Sequence, residues 1–187
     1  SGALATAVIC RARQSFAHWS FIAGMIALSI WNIFYGFALY STEPDDIVFW
    51  QNLGFIAFSF LPGTWLVFSL TYARGNYGDF LKKWVFVLIC AFLLPLALVF
   101  VFHDELFIAV ARSTTNQHWL LRLGPSGLAL NLLFLLSSVL VLMNLERTYR
   151  ASIGTMRWRI KFMVLGLGVI FAAQAYVSSQ IMLFRLI

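Results

Sequence analysis

Charge is what this chain has least of. It carries 7 acidic and 13 basic side chains in 187 residues, 11% charged in all, where soluble domains run near a quarter. Residues 17–40, 48–73, 84–102 and 125–145 contain no Asp, Glu, Lys or Arg, and 160–184 has only Lys161 at its rim. The formal charge of +6 does not point to nucleic acid. The cations sit in short islands between apolar runs, and no soluble module is left to present them to a duplex. Cysteine is nearly missing too. Cys10 and Cys90 make no disulfide framework, and no Cys/His cluster has the spacing of a metal site. Of the three histidines, His18, His103 and His118, none lies in the body of an apolar run. There is no glycine-rich phosphate loop, no paired carboxylates inside a run and no metalloprotease signature.

What remains is apolar: 61% hydrophobic, 17% aromatic, mean hydropathy +0.87. Runs of about 20 apolar residues match the bilayer's hydrocarbon thickness at 1.5 Å per helical residue. A transmembrane barrel would show alternating segments of about 10 instead. The fold class is therefore all-α, a polytopic transmembrane helical bundle. Residues 1–187 are read as a single transmembrane domain. Five spans are expected over about 17–40, 48–73, 84–102, 125–145 and 160–184, with 1–10 as the end of a truncated helix. The chain starts at Ser1, and the apolar stretch before Arg11 and Arg13 has its charges on the wrong side for a signal peptide.

The islands alternate in sign. "RAR", "RGNYGDFLKK" and "ERTYRASIGTMRWRIK" hold ten of the thirteen cations and two acids; the other islands and the tail hold three cations and five acids. Alternate islands share a side of the membrane, so the positive-inside rule places the basic set in the cytoplasm. The expected placement is multi-pass, with the basic loops cytoplasmic. Arg147, Arg150, Arg157, Arg159 and Lys161 become a cytoplasmic anchor on anionic lipid, each cation near the surface gaining about 1 kcal/mol, and a candidate relay to a cytoplasmic domain. Residues 152–154, "SIG", read as a turn between two helix ends. Trp19, Trp50, Trp84, Trp119 and Trp158 fall near span ends, as an interfacial belt does. Trp31 and Trp65 fall mid-span. The long island closing the third span reads as a short outer β-hairpin over 106–123, with an amphipathic interfacial segment as the rival.

Polar neutral residues do occur inside the spans, among them Asn32, Ser59, Thr64, Asn131, Ser137, Ser138 and Ser178. Interhelical hydrogen bonding accounts for most of them. The sharper reading is a ligand pocket toward the outer half, with Trp31, Asn52, Trp65, Gln174, Tyr176 and Gln180 as its candidates and Gln51 beside Asn52. Pro62 and Pro95 interrupt apolar runs, where proline tends to kink a helix. The stretch "GPSG" (124–127) resembles the serine motif of rhomboid-type proteases. That chemistry needs a base for the Ser126 proton, and no histidine is suitably placed, so Gly124 and Pro125 are read as a helix start.

Three stretches carry a closer resemblance. "LGFIAFSFLPGTWLVFSLTYARG" (53–75), with Pro62-x-x-Trp65-Leu66-x-Phe68, resembles the N-terminal seven-helix sensor regions of bacterial histidine kinases. "NLERTYRASIGTMRWRIKFMVLGLGVIF" (144–171) and "QAYVSSQIMLF" (174–184) resemble more narrowly the sensor kinases of the PEP-CTERM/exosortase system, which are associated with exopolysaccharide gene clusters. The resemblance implies a parent chain with a cytoplasmic kinase core that uses ATP, a homodimer formed through that parent kinase, and a response regulator as partner. It implies no cofactor and no catalytic residue in these 187 residues, and no phosphoacceptor histidine among the three. On that resemblance the chain is expected to be a sensory domain of the bacterial inner membrane, a fragment of a seven- or eight-helix region. Its expected function is the input domain of a two-component sensor kinase, answering an unknown outer-face or membrane stimulus. A fragment of a transporter or channel is the alternative.

Overall fold

The computed structural model describes residues 16–72, 77–112, 119–152 and 154–184. The truncated helix expected over 1–10, along with Cys10, Arg11 and Arg13, lies outside the described residues.

The first helix, α1 (Phe16–Tyr40), is 25 residues long, about 37 Å at 1.5 Å per residue. It is followed by α2 (Pro44–Ser59), which starts at a proline with Asp45 and Asp46 in its first turn. Proline lacks only an N–H that the helix start leaves unpaired, and the two carboxylates complement the positive end of the helix dipole. The polar island thus gives its last residues to the second span, which begins earlier than the expected 48. A turn at Phe60 separates α2 from α3 (Leu61–Thr71), and the two together are long and apolar enough to count as one span. Pro62 falls in the first turn of α3, a tolerated place. The short α4 (Tyr77–Lys83) and α5 (Val85–Val101) meet at Trp84 with a bend of 64°. Pro95 lies inside α5 without ending it, so the sharp bend falls eleven residues before the proline. A 3-10 turn at His103–Glu105 leads to β1 (Phe107–Arg112) and β2 (Trp119–Leu123), then α6 (Pro125–Ala151) and α7 (Thr155–Phe184).

Among the described residues, four spans meet the length and apolarity needed to cross a membrane, or five if the bent α4–α5 pair is one. The bundle is built around the second of them. In the Pro44–Thr71 span 67% of the most apolar window is buried, against 17% for Ile160–Leu183. Helix α3 is packed by α1, α5 and α6, and α6 by α7. Trp65, Leu66, Phe68 and Leu70 on α3 form the core with Phe58, Phe134 and Phe171. Trp65 is 1% exposed. It meets Phe21, Phe68 and Phe171 edge-on, at ring centroid distances of 5.8, 5.9 and 5.5 Å. The ring lies against Gly24 of α1, where a Cβ would come within 3.0 Å of it.

One end of the bundle is capped by an antiparallel hairpin of β1 and β2, with a register irregularity between Phe107 and Ala109. The expected hairpin is therefore present. Leu121 buries against Ala38 and Ile47 at the ends of α1 and α2. Leu106 and Leu123 are also buried, and the Gly124 N–H donates to Leu106 O at 2.8 Å. The Ser126 hydroxyl donates to Glu105 Oε2 at 3.3 Å. This serine thus ties the helix start to the hairpin's foot.

The opposite end carries the basic islands. Helix α4 is exposed along its length and ends in Lys82 and Lys83. Phe16 stacks on Tyr77 at 6.2 Å. The cationic stretch is mostly helix: α6 runs on to Ala151 and α7 starts at Thr155, so the connection is confined to 152–154. Gly154 takes φ +68°, a left-handed conformation natural to glycine at a helix end.

Candidate ligand cleft in the hairpin half of the bundle

The polar side chains inside the spans divide by reach. Short ones bond to their own helix one turn back. Ser59 donates to Ile56 O, Ser69 to Leu66 O, Ser137 and Ser138 to Phe134 O, Asn32 to Leu28 O and Asn131 to Gly127 O, all between 2.7 and 3.0 Å. Sequence reasoning expected interhelical bonds here. The correction is that a serine or asparagine in a helix already has a carbonyl within reach, so the donor groups of these residues are spent on their own helix rather than on gluing helices together. The glutamines differ. Among the described residues Gln51, Gln174 and Gln180 make no such bond. Gln51 is only 6% exposed.

All three line one cleft of about 780 Å³, within the usual range for small-molecule sites. Helix α1 supplies Trp31, Asn32 and Tyr35; α2 supplies Gln51, Phe55 and Phe58; α6 supplies Asn131; and α7 supplies residues from Ile170 to Ile181, including Tyr176. On α1, α6 and α7 these residues lie in the half toward the hairpin, and on α2 they run from its middle to its far end. The floor is aromatic, with Trp31 against Phe58 at 5.1 Å and Phe58 against Phe134 at 4.8 Å. Asn131 is 3% exposed, and its Nδ2 is engaged with Gly127 O, which leaves its Oδ1 as an acceptor. Tyr176, at 66% exposed, stands at the mouth. Helices α1 and α7 both line the cleft and, among the described residues, pack against each other little if at all.

Four of the six predicted pocket residues, Trp31, Gln174, Tyr176 and Gln180, thus share this cleft. Asn52 and Trp65 do not. Adjacent residues of a helix point about 100° apart, and here that turn sends Gln51 and Asn52 to different hollows. Asn52 faces a separate hollow of about 380 Å³ between α2 and α5, beside Asp45 and His103, and its Oδ1 is buried without a partner among the described residues. Trp65 belongs to the core, because the facing Gly24 makes room for its ring there. Tyr35 and Asn131 were not among the pocket candidates. Tyr35 lies four residues beyond Trp31, on the same helix face, and their rings sit 6.3 Å apart; that spacing is the signal that would have found it.

The predicted anchor residues are at the other end. Arg150 donates from Nη2 and Nε to Glu146 Oε1 at 2.6 and 3.1 Å, an exposed i,i+4 pair worth a few tenths of a kcal/mol. Arg157 lies over the Tyr149 ring at 5.2 Å, joining the two sides of the 152–154 turn, and Lys161 lies over Trp158 at 5.3 Å. Arg147 is exposed. The side chain of Arg159 lies outside the described residues.

Neither a curated protein nor a solved structure matches the chain. A family model does. The family described as the N-terminal 7TM region of histidine kinase matches residues 1–186, all but one residue of a chain whose spans the fold has already shown to be a helical bundle. The protein is a multi-pass membrane protein, and it belongs to the family of N-terminal transmembrane sensor regions of histidine kinases.

Proposed function

We propose that this chain is the input domain of a two-component kinase, in which the cleft between α1, α2, α6 and α7 receives the stimulus and helix displacement carries the signal to a kinase core. The observation behind this reading is Gln51, a glutamine only 6% exposed that lines the cleft wall and makes no hydrogen bond among the described residues, so its carboxamide is left facing the cleft. A ligand that hydrogen-bonds this carboxamide favours the helix arrangement in which the pair forms. The described spans hold no Asp, Glu, Lys or Arg away from their rims, which disfavours an ion-coupled transporter. The long resemblance over 144–171 favours a kinase of the PrsK kind, from PEP-CTERM/exosortase and exopolysaccharide systems. In that setting the parent chain uses ATP, works as a homodimer and phosphorylates a response regulator.

Helix α7 links the two ends. Its hairpin half lines the cleft, and its other end follows the Arg157–Tyr149 contact. A tilt of α7 on ligand binding therefore moves the basic end. The double variant Gln174→Leu, Gln180→Leu is expected to change kinase-dependent reporter output of the full-length protein by about threefold or more at unchanged membrane level. Unaltered output across growth conditions would remove the cleft from the signalling path.

The same reading sets the basic end in the cytoplasm and the hairpin outside, at the inner membrane of a bacterium, with the cations of the 146–161 stretch against anionic lipid. In a variant lacking Cys10 and Cys90, a cysteine at Asp45 should react with an impermeant thiol reagent on spheroplasts. A cysteine at Lys82 or Arg150 should react only after lysis. Labelling of the Arg150 position on intact spheroplasts reverses the orientation.

A further inference from the structure

We infer that the occupant of the cleft is an uncharged amphipathic lipid, with hydroxyl and carbonyl groups in its head, that enters from the bilayer between α1 and α7. This deepens the input-domain reading and rests on it.

The chemistry of the lining carries the inference. No Asp, Glu, Lys, Arg or His is among the residues of the cleft. A charged head would lose its hydration with no counter-charge to meet it, which is costly at membrane depth. The polar groups present are the carboxamides of Asn32, Gln51, Asn131, Gln174 and Gln180 and the phenols of Tyr35 and Tyr176. Carboxamides both donate and accept, so they suit a head that also does both. Gln51 is unpaired among the described residues and more than nine-tenths buried, and Asn131 keeps a free Oδ1. The aromatic floor of Trp31, Phe55 and Phe58 takes the apolar body. The route follows from the lining: α7, an apolar span, borders the cleft with Tyr176 and Val177, both of them also exposed on the outside of the bundle. A water-borne solute would have to cross apolar side chains to reach the cleft, while a lipid is already beside it. The other hollows differ. The groove between α1 and α2 is lined almost entirely by apolar residues from Ala23 to Thr64 and offers no set of groups to a head. The hollow at Asn52 carries Asp45 and His103, so it is not uncharged.

The test uses the full-length kinase in vesicles of phosphatidylethanolamine and phosphatidylglycerol. Two diazirine probes of equal chain length are compared at equal mole fraction: a monoacylglycerol, and a phosphatidylglycerol. Crosslinks are mapped by mass spectrometry. The monoacylglycerol should label residues 31–35 and 173–181 about tenfold more than the anionic probe does. Gln51→Leu should cut that labelling about fivefold, the effect of one lost hydrogen bond, with labelling of the α1–α2 groove unchanged. Gln51→Asn, which keeps the carboxamide, should retain more of it than Gln51→Leu, and the thermal melt of each variant reports its folding. Equal labelling by both probes overturns the inference. So does an unlabelled cleft, which would mean that another helix fills it. The two readings fail separately. Selective labelling with no change in kinase output on adding monoacylglycerol sinks the input-domain role and leaves the lipid site. Altered output in the glutamine variants without selective labelling sinks the lipid and leaves the input domain.

Discussion

Trp65→Ala is expected to destabilise the bundle by about 3 kcal/mol, the low end of the range for emptying an aromatic site in a core. The low end applies because helices in a membrane are held by packing rather than by removal from water. The transfer part of the cost largely vanishes, and the cavity part remains. That part is large here. The ring is 1% exposed, touches three other aromatic rings and lies against α1 at Gly24. No neighbouring side chain is free to fill the gap without opening another. Trp65→Phe separates shape from polarity. The indole Nε1 has no partner among the described residues, so losing its N–H forfeits no bond, and phenylalanine keeps most of the edge-on contacts. The phenylalanine variant should therefore cost less than half of what alanine costs. Unfolding in mixed micelles, followed by tryptophan fluorescence or by the loss of monodisperse protein, gives both numbers. Equal losses for Phe and Ala would mean that the indole N–H has a partner that the packing does not reveal.

Trp65 also shows where a sequence stops being informative. Apolar length against bilayer thickness is a one-dimensional property, and it located the helices well enough to define a bundle. The side of a helix is a different matter. Trp65 and Trp31 looked alike, both mid-span and off the interfacial belt. One is in the core and the other lines the cleft, although each lies against a glycine of another helix, Gly24 for Trp65 and Gly54 for Trp31. The same holds for Gln51 and Asn52, neighbours in the chain that face different hollows. Weak amphipathicity makes such assignments hard. In water a polar face marks the outside of a helix, but lipid and core are equally apolar, so the periodic signal fades. Gln174 and Gln180 were legible for a different reason. Glutamine is rare and costly in a span, and it is too long to settle readily on its own helix carbonyls, so several of them on one helix suggest a shared purpose. The bend at Trp84 had no clear mark. The chain offered Pro95 as the kink, yet proline inside α5 is tolerated where neighbouring helices and local adjustments satisfy the freed carbonyl.

At the hairpin, Gly124→Ala is expected to be the most damaging glycine-to-alanine change among the described residues. The Cβ would stand 1.8 Å from the backbone oxygen of Glu105 and 2.8 Å from its carbonyl carbon. The obstacle is main chain, so no rotamer change relieves it. The backbone at Gly124, φ −80° and ψ 176°, is open to any residue; the constraint is close approach alone. To admit the methyl group, the 3-10 turn must move off the start of α6. That movement breaks the Gly124 N–H to Leu106 O bond and the Ser126 to Glu105 bond together, and it draws buried Leu106 and Leu123 out of the core. Overpacking of this kind costs about 1–3 kcal/mol, and the two lost bonds add about 1 kcal/mol each. The damage should be local first. Amides of 107–112 and 119–123 should exchange hydrogen much faster in the variant, while those of α3 stay protected. Ser126→Ala is the companion measurement. It removes only the bond to Glu105, so its effect on hairpin exchange should be a small fraction of the glycine variant's. A hairpin as protected in Gly124→Ala as in the parent would show that the turn at His103–Glu105 can shift freely, and that the cap is not pinned to the bundle at this contact.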